Sequence, residues 1–349
     1  MHARSSLRHS RTCRGNILTP FRVLGAIACI ACVWPLTSAS TGVPDAWANE
    51  WPHTKFDTAS VDFAEIRSGG PPRDGIPALL EPRFRTVAAV DELEATEPVI
   101  VVELGEVARA YPVRILMWHE IANDTIDGRP IVVTYCPLCN ASLVYDRQVM
   151  LDGKEHVLTF GVSGKLRHSD MIMYDHQTES WWQQFTGDAI VGVATGTRLA
   201  RISSQTVPFA TFAQRHPQGL VLDAPPDSRR RYGMNPYVRY DGGKWPMLYD
   251  GRYEGPVPPL SYVVVVGNEA WPLERVRQER EVRHGSTVIS WQPGMNSALD
   301  SERIAAGRDV GFVQVRQAVG DRHHPLPYDV TFAFAFKAFI PDGTIHHVE

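Results

Sequence analysis

The chain reads as a β-rich α+β protein built from two related halves, and three observations predict this. Runs of valine, isoleucine and aromatic residues bounded by glycine and proline recur along the sequence, while helical periodicity is confined to short stretches. The sequence also resembles itself: residues 101–109 (VVELGEVAR) lead into 110–113 (AYPV), and residues 263–269 (VVVVGNE) lead into 270–273 (AWPL). The parallel continues downstream, where residues 134–143 (TYCPLCNASL) align without gaps with 290–299 (SWQPGMNSAL). Two blocks in the same order predict a divergent internal duplication. The second copy has Gln292 and Met295 where the first has Cys136 and Cys139, so any thiol chemistry belongs to the first copy.

From the N-terminus, residues 1–48 read as a signal peptide or signal anchor. Arg4, Arg8, Arg11, Arg14 and Arg22 surround or precede an apolar stretch over 23–36, and small residues at Thr37 and Ala39, or at Ala46 and Ala48, offer cleavage sites. The mature chain then begins near Ser40 or Asn49, and the protein is periplasmic or extracellular. If the segment is retained, residues 21–40 are just long enough to anchor it in a membrane facing the periplasm. Cleavage at the second site moves the formal charge from -4 to about -8. A mildly acidic protein lacks the basic footprint of nucleic-acid binding, and Arg229-Arg230-Arg231 reads as a solvated loop. With 44% hydrophobic residues, what remains is long enough for a full core and two domains.

Residues 49–98 are a lead-in, and 99–222 form the first repeat domain. Residues 99–104 and 108–111 read as a hairpin around Gly105-Glu106, 113–123 as a helix with Ile115, Leu116, Trp118 and Ile121 on one face, and 131–135 as a buried strand delivering Cys136. Further strands are predicted over 142–147, 156–162, 171–175 and 180–185, with a turn over residues 161–164 and another at His176-Gln177-Thr178. Residues 223–260 carry seven prolines, five glycines and five tyrosines, and read as an irregular connection or packed arm. The degenerate second repeat, 261–349, lacks the cysteines and ends in a segment, 330–339, where Phe332, Phe334 and Phe336 alternate with small residues as in a half-buried strand.

Of five cysteines, Cys13, Cys29 and Cys32 lie in the leader, which leaves Cys136-Pro137-Leu138-Cys139 as the thiol pair of the mature chain. Three uses are compatible with that spacing. The first is thiol-disulfide redox chemistry with Cys136 attacking and Cys139 resolving, which requires a stabilised thiolate, as at a helix N-terminus. Residues 141–147 read as extended instead. The second is a soft-metal site, copper or zinc, drawing on Cys136, Cys139, Met171, Met173, His168 and His176. Met171 and Met173 share one face of a strand, where core packing is the simpler role. The third is a structural disulfide in an oxidising compartment, although so short a loop gains little from cross-linking.

Acid-base chemistry offers another route through His119 and Glu120 at the end of the predicted helix, with Asp170 and Asp175 further on. Asp175 before a tight turn is most simply a turn former. The pairs His323-His324 and His346-His347 read as exposed side chains near the end of the chain. No nucleotide-binding glycine fingerprint, nucleophile elbow, haem-attachment or zinc-protease motif occurs, and the partner, protein or small molecule, is left open.

The strings RAYPVRILMWHEIANDTIDGRPIVVTYCPLCNASLVYDR (109–147) and LTFGVSGKLRHSDMIMYDHQTESWWQQFTGDAIVG (158–192) resemble a bacterial family catalogued as domain of unknown function number 3179. The resemblance covers residues 75–222, and from 260 onward it is loose. It implies no reaction, cofactor or fold. It does place the thiol pair, Ser169-Asp170 and Met173-Tyr174-Asp175 in the family's most recognisable blocks, with His168 where an asparagine is expected.

Overall fold

The computed structural model describes residues 42–226, 228–320 and 322–347. The expected leader therefore lies outside the described residues except for its last few positions. No helix among the described residues is long and apolar enough to cross a membrane. The fold is β-rich with short helices, as predicted.

The hairpin around Gly105 forms from Pro98–Leu104 and Val107–Pro112, with Val99 opposite Pro112. Pro112, with φ near -60°, ends the second strand and starts the helix Val113–His119 without needing an amide hydrogen. The periodicity predicts this helix to residue 123, but it stops at His119. Glu120 takes a left-handed φ of 59°, and its carbonyl accepts from the Tyr135 amide at 2.8 Å. Residues after it satisfy their backbone groups better in a sheet: Ile121–Ile126 pairs with Arg129–Cys136, which pairs with Ala141–Asp146. A short apolar run cannot by its period alone distinguish these outcomes.

Two four-strand arrangements share one topology. In the first, the order is Gln205–Pro208, Pro98–Leu104, Val107–Pro112, Leu220–Leu222, with the last pair parallel and a fifth strand, Phe84–Thr86, beyond it. In the second, the order is Asp329–Phe332, Tyr262–Val266, Glu269–Pro272, Thr344–Ile345, again with the last pair parallel. Helices Phe209–Arg215 and Ala333–Phe339 make the crossover in each. Each hairpin then feeds a proline-started helix (Val113–His119, Leu273–Glu279), a positive-φ residue (Glu120, Arg280) and a second antiparallel sheet.

The segment 330–339 thus corrects the strand expectation. Only Asp329–Phe332 is extended, and Ala333–Phe339 is helical. Its alanines favour helix, and Ala333, Phe334, Ala335 and Phe336 are all fully buried, so burial carries no period of two.

One element belongs to the first half alone. Between Asp146 and Arg201 the chain supplies four strands of a five-stranded sheet, Phe160–Arg167, Asp170–Asp175, Trp181–Gln183 and Ala189–Val191 in that order, whose edge strand, Ile66–Ser68, comes from the N-terminal lead-in and pairs with Phe160–Arg167. The predicted turn over 161–164 is instead a bulge inside Phe160–Arg167, where the register shifts between Val162 and Lys165. Gly164 sits there at φ 71°, and a Cβ would approach the Pro71 carbonyl oxygen to 2.1 Å, so only glycine fits. The cysteines, Met171, Met173 and Trp182 share one buried cluster that also includes Tyr240, Phe332 and Phe334.

Candidate functional site: a buried dithiol-carboxylate cluster

Cys136 ends a central strand and Cys139 closes the turn that follows, before Ala141–Asp146. No helix begins at the pair, so the thiolate stabilisation that a redox nucleophile draws from a helix N-terminus is not supplied here. Both thiols are free and buried. The turn is held from several sides. The Tyr240 hydroxyl donates to the Leu138 carbonyl at 2.8 Å, and the Cys139 carbonyl accepts from Thr331 Oγ1 at 2.7 Å and from the Phe332 amide at 3.0 Å. Cys136 Sγ lies 3.8 Å from the Ser169 carbonyl oxygen.

Asp170 comes to the pair from the five-stranded sheet. Arg167 pairs with Asp170 across a two-residue turn, His168-Ser169, in which both residues have positive φ (53° and 68°). Asparagine tolerates that conformation best among non-glycine residues, which explains why asparagine suits position 168 and why His168 acts here as a turn residue. One ligand atom from each of Cys136, Cys139 and Asp170 lies within 4.8 Å of the others.

The polar environment of this cluster is incomplete. Asp170 Oδ2 accepts from Gln183 Nε2 at 2.7 Å and from the Phe185 amide at 2.9 Å. Asp170 Oδ1 is buried without a hydrogen-bond partner, as are Gln183 Oε1 and Gln184 Oε1. Gln184 Nε2 donates to Thr134 Oγ1 at 2.7 Å on the strand leading to Cys136. Burial pushes the Asp170 carboxyl up to about 7, against the pull of its hydrogen bonds. Burial, with Asp170 beside it, pushes Glu120 up to about 8. Both thiols are likewise raised by burial, Cys139 the more strongly.

The cluster opens on a cavity of about 140 Å³ lined by Glu120, Cys136, Met171, Tyr237, Met247 and Leu248 among others. The last three come from the proline-rich connection, which packs over the site: Ser169 Oγ donates to the Met247 carbonyl at 2.6 Å. Tyr237, Met247 and Leu248 thus wall the cavity from a segment of irregular structure.

The other sequence-derived candidates fall in different places. Met171 lines the cavity, whereas Met173 packs in the core between Val162 and Trp182 on the neighbouring strands. His168 Nε2 is 3.4 Å from Glu65 Oε2, between the rings of Tyr249 and Phe339. His176 stacks on Tyr174 at an exposed turn. Asp175 has both oxygens occupied, by the Thr178 amide and hydroxyl and by Trp182 Nε1 at 2.9 Å. His119 is bonded through Nδ1 to the Pro77 carbonyl at 2.7 Å and through Nε2 to the Tyr232 hydroxyl at 2.6 Å, and burial lowers its basicity. Glu120, an acid-base candidate in the sequence, lies at the site, and Gln183, Gln184 and Thr331 complete it although their positions in the sequence do not single them out. The only signal for the glutamines is a polar pair directly after Trp181-Trp182.

Fold and site together define a β-rich α+β protein organised around a buried dithiol-carboxylate cluster. A family model described as "Protein of unknown function (DUF3179)" matches residues 73–343, and the chain belongs to that family. The match includes the second half, where the motif resemblance is loose. No curated protein and no solved structure matches the chain.

Proposed function

We propose that Cys136, Cys139 and Asp170 form a metal centre selective for a zinc-like divalent ion. The observation that carries this reading is the buried cluster in which a carboxylate oxygen of Asp170 and two free thiols lie within 4.8 Å of one another, with no other hydrogen-bond donor than the thiols for Asp170 Oδ1. Two thiolates and a carboxylate make a three-ligand set, and tetrahedral zinc accepts sulfur and oxygen together, whereas copper(I) has less use for the carboxylate. Three protein ligands leave a fourth position, and the cavity beside Cys136 supplies room there for water or a small ligand, with Glu120 on its wall. Glu120 on that wall places a carboxyl group beside the centre, where it can serve as an acid or base.

The test is cobalt substitution of the protein after chelator treatment. The expected result is a thiolate-to-cobalt charge-transfer band that C136S and C139S abolish and D170N weakens by roughly tenfold or more in affinity. Thiols that titrate as fully free in the presence of excess zinc or cobalt would sink the proposal.

A second reading, thiol-disulfide exchange between Cys136 and Cys139, draws support from the proximity of the two sulfurs. Burial and the adjacent carboxylates weigh against it by disfavouring the thiolate.

The matched strand orders and the shared helix starts also support the proposal that the halves arose by duplication, with domains over 99–222 and 261–349 joined by 223–260. On this reading the N-terminal 48 residues export the protein, which places the metal centre in the periplasm or outside the cell.

A further inference from the structure

Outside that site, three side chains of the second half converge on one point. Glu269 begins the strand Glu269–Pro272, His284 ends the strand Glu281–His284, and His346 follows the strand Thr344–Ile345. The sequence suggests that His346 is an exposed side chain near the end of the chain, but its backbone is fixed. Its amide donates to the Ala270 carbonyl at 2.8 Å, and Arg275 Nη1 donates to its carbonyl at 3.2 Å.

His284 Nε2 and His346 Nε2 each stand 3.3 Å from the same Glu269 oxygen, Oε1. The imidazole rings are 4.4 Å apart, and Trp271 stacks on His346 at 5.0 Å, so the rings are held against an aromatic wall. Ligand atoms around a tetrahedral zinc with bonds of about 2.0–2.1 Å lie about 3.3–3.4 Å apart, whereas N–H to carboxylate hydrogen bonds cluster near about 2.8 Å. The spacing matches that of ligands around an ion and is long for the hydrogen bond that His346 Nε2 makes with Glu269 Oε1. Two imidazoles aimed at one oxygen also make a poor ion pair, because protonating both places like charges side by side.

We propose that Glu269, His284 and His346 form a second, solvent-facing site for a divalent transition ion with imidazole preference, of which zinc is the representative. Two imidazoles and one carboxylate leave at least one coordination position, and the half-exposed Glu269 and His284 side chains turn it toward water. The equivalent positions in the first half hold Arg109 and Asp124, an ion pair with Nη1 2.5 Å from the carboxylate. The second half thus replaces a salt bridge by a ligand set and adds His346 from a third strand.

This site is independent of the cysteine cluster, and the experiment separates them. The full chain is stripped with chelator and titrated with zinc alone by calorimetry, in the C136S/C139S background and in the chain that keeps its cysteines. The double-serine protein is expected to retain one zinc site, and H284A, H346A or E269Q in that background to weaken it by roughly tenfold or more. If the serine pair compromises folding, the same histidine variants in the cysteine-containing chain are expected to lose one zinc equivalent. Unchanged zinc affinity and stoichiometry in H284A and H346A would overturn the proposal and leave these residues as a hydrogen-bonded surface cluster.

Discussion

The two hairpin-helix-strand units, over residues 98–136 and 262–292, hold the same frame around opposite contents. In both, a proline opposite a buried valine ends the hairpin and starts a seven-residue helix. Both helices end at a non-glycine residue of positive φ, Glu120 at 59° and Arg280 at 63°. Both of those residues accept through the carbonyl from an aromatic residue on the next hairpin, Tyr135 at 2.8 Å and Trp291 at 2.9 Å. Yet the Glu120 carboxyl is buried against a cavity, while the Arg280 guanidinium lies over the Trp291 ring 4.6 Å from its centre. Cys136 and Cys139 likewise correspond in sequence to Gln292 and Met295.

The difference teaches that strand ends and helix caps hold the polar and charged groups that differ between the units, while the alternating buried positions between them carry the fold. The five-stranded sheet gives the first half its distinct environment, because it brings Asp170 up to the cysteines. Among the described residues the second half has no such sheet between its equivalent strands, and its polar cluster lies at the surface instead.

The largest effect expected from breaking the comparison is at Phe332. It belongs to the second half but packs with Tyr240, Tyr262 and Phe334 in the cluster that contains both cysteines. Phe332→Ala should cost about 3–5 kcal/mol in urea unfolding. A loss under about 1 kcal/mol would mean that the second half contributes little to the first-half core.

Next comes the pH dependence of the metal-free protein. Asp170, raised to about 7, and Glu120, raised to about 8, keep protons in the folded state that the unfolded chain releases at lower pH. Their contribution to stability is therefore fully present below the ordinary carboxylate range and is lost progressively as pH rises from that range to about 7 to 8. Denaturation series across that range should show a decline that D170N flattens, while Arg280→Gln, at the equivalent of Glu120, leaves the slope unchanged. An equal slope in D170N and the parent would show that Asp170 does not carry the decline.

The smallest effect sharpens how the halves are joined. Thr331→Val removes one of two donors to the Cys139 carbonyl and should cost about 1 kcal/mol, because the Phe332 amide still satisfies that oxygen. Thermal unfolding reads this directly, and zinc binding by the double-serine protein should not change.

Much of this was legible along the chain wherever the signal is local. The hairpin at Gly105, the strand into Cys136 and the proline that starts each helix follow from propensity and period. The Cys-x-x-Cys stands out along the chain as the cysteine pair beyond the expected leader. Where short apolar runs were buried on every side, period lost its meaning, as with helix Ala333–Phe339 and the early end of the helix at His119.

The sequence by itself determined the β-rich class, the parallel between the halves and the confinement of the thiols to one of them, because these depend on neighbours within a few residues or on the chain compared with itself. Only the tertiary structure decided which residues meet. Asp170 joins Cys136 from more than thirty positions away, and His346 joins Glu269 and His284 from a different strand. Sheet pairing between distant segments sets those encounters, and a linear pattern does not encode the register in which two remote strand ends face each other.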